Sequence, residues 1–183
     1  MTQAQSDDIG LPGWAVVSDK RRKHIARVTA LLDQWAVAMQ LPDDERARWR
    51  AAGVLHDALR DAPEPVLRTL SGDETRAAEF LHGPASATRA EQDGERRQDV
   101  LDAVRFHTVG CTGWARTGRA LYMADFLEPR RSFLIAEREF LARQVPHDFD
   151  ATFRAAVRLR LQWSLTQGGE LFAESVDLWN AVR

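Results

Sequence analysis

Residues 52–61 read Ala-Gly-Val-Leu-His-Asp-Ala-Leu-Arg-Asp, which sets His56 and Asp57 side by side in an otherwise apolar run. Ala51, Val54, Leu55, Ala58 and Leu59 carry the spacing of the buried stripe of a helix, so the two ionisable groups are drawn toward the interior. Burying a charge is costly unless it is paired or coordinated. The chain must therefore fold so that partners for His56 and Asp57 arrive from distant segments.

Those segments are helical in pattern. From Lys20, the residues Ile25, Val28, Leu31, Leu32 and Trp35 recur at three- and four-residue steps. Leu41-Pro42 interrupts this stretch, and Asp43 or Asp44 is expected to cap a second helix running through Trp49 to Leu59. The run Asp61-Ala-Pro-Glu-Pro65 ends it, because proline cannot continue a helix and disfavours helix in the residue before it. A short helix is expected around Arg76–His82, stopped by Gly83-Pro84, and another over 98–107. Further helices are expected from Gly118 to Pro129, over roughly 131–143 and 149–166, and in a last short stretch ending near Ala181. No segment of four to eight residues alternates like a strand with β-branched enrichment. The reading is an all-α single domain over residues 18–183. Residues 1–17 are read as a flexible arm that docks through Trp14.

Composition narrows the function classes. The 25 basic and 27 acidic residues nearly balance, leaving a formal charge of −2, which argues against a nucleic-acid partner bound through a global positive field. Cys111 is the single cysteine, so an intramolecular disulfide and a thiolate metal cluster are both excluded. The N-terminus lacks a basic region leading into an apolar stretch, and no apolar run approaches the roughly 20 residues that cross a bilayer. A cytoplasmic protein with no membrane partner is expected.

Any metal must then be held by imidazole and carboxylate. His24, His56, His82 and His107 each lie in, or at the end of, an expected helix on or beside its apolar face, and Asp125 sits inside Leu-Tyr-Met-Ala-Asp-Phe-Leu. A single histidine on an apolar face is more often a packed core residue than a ligand. Six such groups alternating with helices are harder to explain by packing, and imidazole with carboxylate suits iron, manganese, zinc and related divalent ions. Neighbouring helical residues project about 100° apart, so His56 can serve one ion while the two oxygens of Asp57 reach a second. Cys111, across Gly110 from His107, is not expected to be a ligand, and His147 is expected in an exposed loop.

The ordered set His24, His56-Asp57, His82, His107, Asp125 resembles the HD-domain metal-dependent phosphohydrolases. The segments Phe80-Leu-His-Gly-Pro-Ala-Ser-Ala87, Val104-Arg-Phe-His-Thr-Val-Gly110 and Ala120-Leu-Tyr-Met-Ala-Asp-Phe-Leu-Glu-Pro-Arg-Arg-Ser-Phe133 are similar to the signatures of the YqeK-type bacterial enzymes. The ending Gly168-Gly-Glu-Leu-Phe-Ala-Glu-Ser-Val-Asp-Leu-Trp-Asn180 is similar too. The resemblance spans roughly residues 20–181 and implies an HD-type helical bundle that hydrolyses diadenosine tetraphosphate symmetrically to two ADP. It also implies two divalent metal ions, iron first, with manganese or another divalent ion as alternatives. His24, His56, Asp57 and Asp125 would ligate one ion, and Asp57, His82 and His107 the other.

The same resemblance implies a bridging hydroxide attacking an inner phosphorus. Arg60 would act there as a catalytic charge and phosphate contact, and Arg27 and Arg131 as further substrate-binding residues. Trp114 is a candidate for stacking on adenine, and a homodimer is left open. Departures are Arg60 where the family commonly has lysine, Val109 in the His-Thr-Thr-Gly motif, and Ser86 where glycine is usual. The alternatives are an HD phosphohydrolase acting on other nucleotides, or a non-catalytic nucleotide-sensing protein.

Overall fold

The computed structural model describes residues 9–183. Among the described residues the chain forms α-helices, one short 3₁₀ turn and no strand, as the periodicity requires. The helices are α1 (Asp19–Ala38), α2 (Asp43–Leu55), α3 (Glu64–Ser71), α4 (His82–Gln92), α5 (Gln98–Phe106), α6 (Arg116–Leu127), α7 (Ile135–Gln144), α8 (Phe149–Thr166) and α9 (Ala173–Val182).

Helix α6 is the axis of the bundle. Ten of its 12 residues are buried, because α1, α2, α5, α7 and α8 all pack on it. A helix wrapped on every side is apolar all round, and Asp125 in its last turn is therefore carried into the interior. The main core joins Leu32 and Trp35 of α1, Trp49 of α2, Leu121 and Met123 of α6, and Phe153 and Val157 of α8. A smaller cluster of Leu59, Leu67, Leu81 and Ala85 lies beneath α3 and α4, with Trp14 packed against it.

Helix boundaries differ from the sequence expectation at several informative points. Helix α2 stops at Leu55, and residues 56–62 continue as successive tight turns, with Ala58 N–H bonded to Leu55 O, Arg60 N–H to Asp57 O and Ala62 N–H to Leu59 O. His56 and Asp57 are thus at a helix terminus rather than inside a helix. Pro42, not an aspartate, occupies the cap position of α2, and Asp43, Asp44 and Glu45 fill the first turn, where negative charge complements the helix dipole. Helix α3 was not anticipated; prolines in its first turn and left-handed Gly72 at its end delimit it. The helix expected around Arg76–His82 shrinks to a 3₁₀ turn over Ala78–Phe80. Gly83-Pro84 does not end a helix but lies in the first turn of α4, where proline's missing N–H has no partner to lose.

Residues 9–17 are not a loose arm. Ile9 is buried, Val16 N–H donates to Ala58 O at 2.8 Å, and Asp61 N–H donates to Val16 O at 3.2 Å. Trp14 docks as expected, its Nε1 donating to Asp93 at 2.9 Å. The remainder of the expected arm, residues 1–8, lies outside the described residues. Trp114 is a core residue rather than a base-stacking one. It is buried against Tyr122, its Nε1 donates to Asp102 O at 3.1 Å, and its ring lies on Gly118, where a Cβ would stand 2.3 Å from Cδ1. No described helix is long and apolar enough to cross a membrane.

Candidate metal centre

Helix ends aim the imidazoles. His56 follows the last residue of α2, His82 opens α4, His107 follows α5, and His24 lies in the second turn of α1. Three of them share one local arrangement. The Nδ1–H of His56, His82 and His107 donates at 2.8 Å to the carbonyl three residues earlier, on Gly53, Glu79 and Val104 respectively. Fixing the proton on Nδ1 leaves a lone pair on each Nε2 and sets the ring plane, the arrangement in which histidines ligate metals.

These lone pairs converge on Asp57. Its Oδ1 lies 3.1 Å from His82 Nε2 and 3.7 Å from His107 Nε2. Its Oδ2 lies 3.4 Å from His56 Nε2 and 3.6 Å from His24 Nε2. One carboxylate thus faces two pairs of imidazoles, one pair per oxygen. Asp125 joins from α6, its Oδ1 at 3.2 Å from His24 Nε2. All six side chains are buried.

The donor set fits a pair of divalent cations. His82 Nε2 and His107 Nε2 approach to 3.1 Å, and two lone pairs at that distance repel unless a positive charge lies between or beside them. His24 Nε2 and His56 Nε2 are buried without a hydrogen-bond partner, a costly condition that coordination would relieve. His24, His56 and Asp57 form one group able to hold an ion, and Asp57, His82 and His107 form another. Imidazole with carboxylate, and no thiolate, is the donor chemistry of divalent iron, manganese or zinc.

Electrostatics agree. Burial alone would push the Asp57 carboxyl up, but the surrounding His56, His107 and His82 hold it well below the usual carboxylate range. Burial likewise opposes ionisation of Asp125, and Arg131, His24 and Arg160 overcome it. Burial pushes His82 down, keeping its ring neutral. At His24 burial also disfavours charge, yet the facing carboxylates of Asp125 and Glu128 raise it to about 9. The position beside His24 is thus one where the protein favours a positive charge.

Above these groups opens a cavity of about 330 Å³, and Asp57, His82, His107 and Asp125 form its floor. Apart from Phe80 its described walls are polar or charged, with Arg21, Arg60, Arg131 and Arg160 supplying guanidinium groups. A larger apolar groove of about 740 Å³ between α7, α8 and α9 contains none of the six convergent residues. Size does not locate the chemistry here; the donor set does.

The structure thus brings together the six residues expected as ligands, and places Arg60 and Arg131 on the cavity wall. The Arg131 guanidinium also donates to both the backbone carbonyl and the carboxylate of Asp125. Arg27 does not line the cavity. Its Nε donates to Glu128 at 2.7 Å. His147 is exposed, as expected.

Sequence reasoning passed over three residues. Arg21, one turn before His24 on the same face of α1, holds Asp57 Oδ2 at 2.6 Å; the i, i+3 spacing was the available signal. Glu128 faces His24 Nδ1 at 3.6 Å, and its place in the Ala120–Phe133 segment was the available signal; Arg160 reaches in from α8, and no motif marks it. Ser86, which stands where the resembled family usually has glycine, accepts Leu59 N–H on its Oγ at 3.2 Å and so ties α4 to the turn that carries Asp57.

Comparison with known proteins agrees with this geometry. The family model for the HD domain matches residues 21–133, more than half of the chain. Three similar proteins are symmetrical bis(5'-nucleosyl)-tetraphosphatases. That of Bacillus subtilis (strain 168) is 30% identical over 90 residues, covering 45% of this chain and 48% of that protein. That of Staphylococcus aureus is 30% identical over 122 residues, covering 62% and 61%. That of Halalkalibacterium halodurans is 23% identical over 139 residues, covering 72% and 73%. The chain therefore spans about half the length of the Bacillus subtilis relative. A crystal structure from Clostridium acetobutylicum, described as a predicted HD superfamily hydrolase involved in NAD metabolism, superposes with a TM-score of 0.77 at 23% identity, over 91% of this chain and 90% of that one. That likeness establishes the fold. With the family model, the fold and the convergent histidines and aspartates in agreement, the chain belongs to the HD domain family.

Proposed function

We propose that this protein is a metal-dependent phosphohydrolase that cleaves diadenosine tetraphosphate symmetrically into two ADP. One observation carries the reading: a single carboxylate, Asp57, divides its two oxygens between two imidazole pairs at the floor of a cavity walled by arginines. The names of the similar proteins from Bacillus subtilis, Halalkalibacterium halodurans and Staphylococcus aureus support the substrate.

His24, His56, Asp57 and Asp125 would hold one ion, and Asp57, His82 and His107 the other, with Asp57 shared. Divalent ions at these positions would supply Lewis acidity and a water acidified from a pKa of about 15.7 toward about 7. The chain supplies the rest. Asp57 and Asp125 stay ionised and fix the ligand geometry. Arg60 and Arg131 would receive non-bridging phosphate oxygens and neutralise charge as the phosphorus–oxygen bond breaks. The leaving ADP has a second phosphate pKa near about 6, so it departs at neutral pH without a dedicated acid. No side chain is assigned that role.

We infer a cytoplasmic setting and take iron as the first metal, with manganese as the alternative. Chromatography of products tests the substrate: two ADP are expected, and either ATP plus AMP or no turnover of dinucleoside polyphosphates would overturn it. Metal analysis of freshly purified protein tests the metal, with about two ions per chain expected from the shared-carboxylate geometry.

A further inference from the structure

Arg160 lies on α8, outside residues 21–133 that match the family model. Three contacts fix its guanidinium. It stacks over the Tyr122 ring at 4.5 Å, lies 5.9 Å from the Phe126 centroid, and donates through Nη2 to Thr108 O at 3.1 Å. Its remaining terminal nitrogen, Nη1, is buried without a hydrogen-bond partner, and Asp125 Oδ2 stands 3.8 Å away, beyond hydrogen-bonding reach. The side chain is 19% exposed and forms part of the cavity wall.

A desolvated guanidinium with an unused donor is a costly thing to build into a fold unless something accepts from it. The nearest acceptor, Asp125 Oδ2, is out of hydrogen-bonding reach, and two other carboxylate oxygens at the site are already taken. Asp57 Oδ2 receives Arg21, and Asp125 Oδ1 receives Arg131. A further acceptor for Arg160 enters through the cavity, where four guanidinium groups face the carboxylates of Asp57, Glu79 and Asp125; with Asp57 and Asp125 serving metal cations, the balance favours an anion. A guanidinium already immobilised by aromatic stacking and a backbone carbonyl loses little freedom on binding. It can hold one oxygen in a fixed place while Arg60 adjusts around the rest.

We propose that Arg160 is a preorganised phosphate-binding residue that donates Nη1–H to a non-bridging oxygen of the substrate polyphosphate. This inference rests on the reading of the cavity as a polyphosphate site, and it assigns α8 a part in binding that the family motifs do not.

The test uses inorganic tripolyphosphate, a probe with no nucleoside, titrated calorimetrically into the metal-loaded protein. Arg160→Met should weaken its binding on the order of tenfold or more, the loss expected for one charge-assisted hydrogen bond. Metal content should stay at the wild-type value and the variant should remain folded. Arg160→Lys keeps the charge but cannot hold Thr108 O and an anion together, so its affinity should fall between the two. Unchanged tripolyphosphate affinity in Arg160→Met would overturn the proposal, as would loss of metal, which would make Arg160 a structural partner of Asp125. Wild-type affinity in Arg160→Lys would overturn the fixed-fork argument even if Arg160→Met did not fold. Because the probe carries no adenosine, failure of the protein to produce ADP would count against the substrate and leave this result standing.

Discussion

Replacing Gly83 with alanine places a methyl group in the one gap between α4 and α5 that the metal centre depends on. A Cβ there would stand 2.9 Å from Val104 O, 3.0 Å from Arg105 O and 3.2 Å from His107 Cε1. Carbon and carbonyl oxygen rest no closer than about 3.3 Å, so the two helices must part by roughly 0.4 Å. The obstacles are backbone carbonyls at the end of α5 and cannot swing aside. Overpacking of this kind costs about 1–3 kcal/mol, and the better helix propensity of alanine returns at most about 1 kcal/mol. The net loss of about 1–2 kcal/mol should lower the melting temperature by roughly 2–8 °C in a chain of this size. The functional effect should be larger. Val104 O is the acceptor that fixes the His107 ring, and His82 precedes the substituted residue. Disturbing such supporting hydrogen bonds typically costs about 10- to 100-fold in metal affinity. Thermal denaturation and chelator competition measure both effects. A Gly83→Ala protein that melts at or above the wild-type temperature and retains its full metal complement would refute this account.

Asp57→Ala should lose both metals and all activity, because one carboxylate serves both imidazole pairs; retention of two ions per chain, measured by elemental analysis, would contradict the shared geometry. Arg138→Met should destabilise the fold by about 3 kcal/mol in urea denaturation, because its buried guanidinium bonds the carbonyls of Phe126, Glu128, Arg131 and Phe133 and so holds the loop that carries Glu128 and Arg131. In metal-stripped protein the His24 imidazolium, raised from 6.5 to about 9, stabilises the fold fully below pH 6.5, and that contribution is lost as pH rises through 9. Metal uptake between those values should therefore release a proton, read as a buffer-dependent binding enthalpy. Glu128 works in the opposite direction. Burial opposes its charge, but His24 and Arg27 lower it from 4.5 to about 2, so its stabilisation is present above pH 4.5 and lost as pH falls toward 2, read as declining urea resistance.

The helical class and the ligand set were legible because each follows from chemistry local to its own segment. The apolar period of three to four residues defines α1, α5, α6 and α8 without reference to neighbours. A histidine or aspartate on an apolar face announces that something must meet it inside. Boundaries were less legible where two local rules compete. Gly83-Pro84 satisfies the pattern for stopping a helix and equally that for starting one. Only the packing of Leu81 and Ala85 beneath α3 favours the second. Helix α3 begins within a proline-rich stretch that the same rule reads only as the end of the helix before it.

The arginines divide along the same line. Arg60 and Arg21 lie within three residues of a ligand in the chain, so helical or turn spacing carries them to the cavity. Arg27 has equally suggestive spacing from His24, yet the opposite outcome, because Glu128 is close enough to take it. Which of two nearby arginines meets the substrate is decided by where the carboxylates lie, and that is a property of the folded chain. Arg160 is the limiting case. It is separated from Asp125 by a loop and the whole of α7, and nothing in its immediate sequence distinguishes it from Arg154 or Arg158 on the same helix. Those two are exposed, while Arg160 is turned inward onto Tyr122. The metal centre is thus encoded by residue type, and the anion-binding wall above it by the rotational setting of α8 against α6. A substitution that rotates α8 without touching any ligand should weaken tripolyphosphate binding while leaving both metals in place.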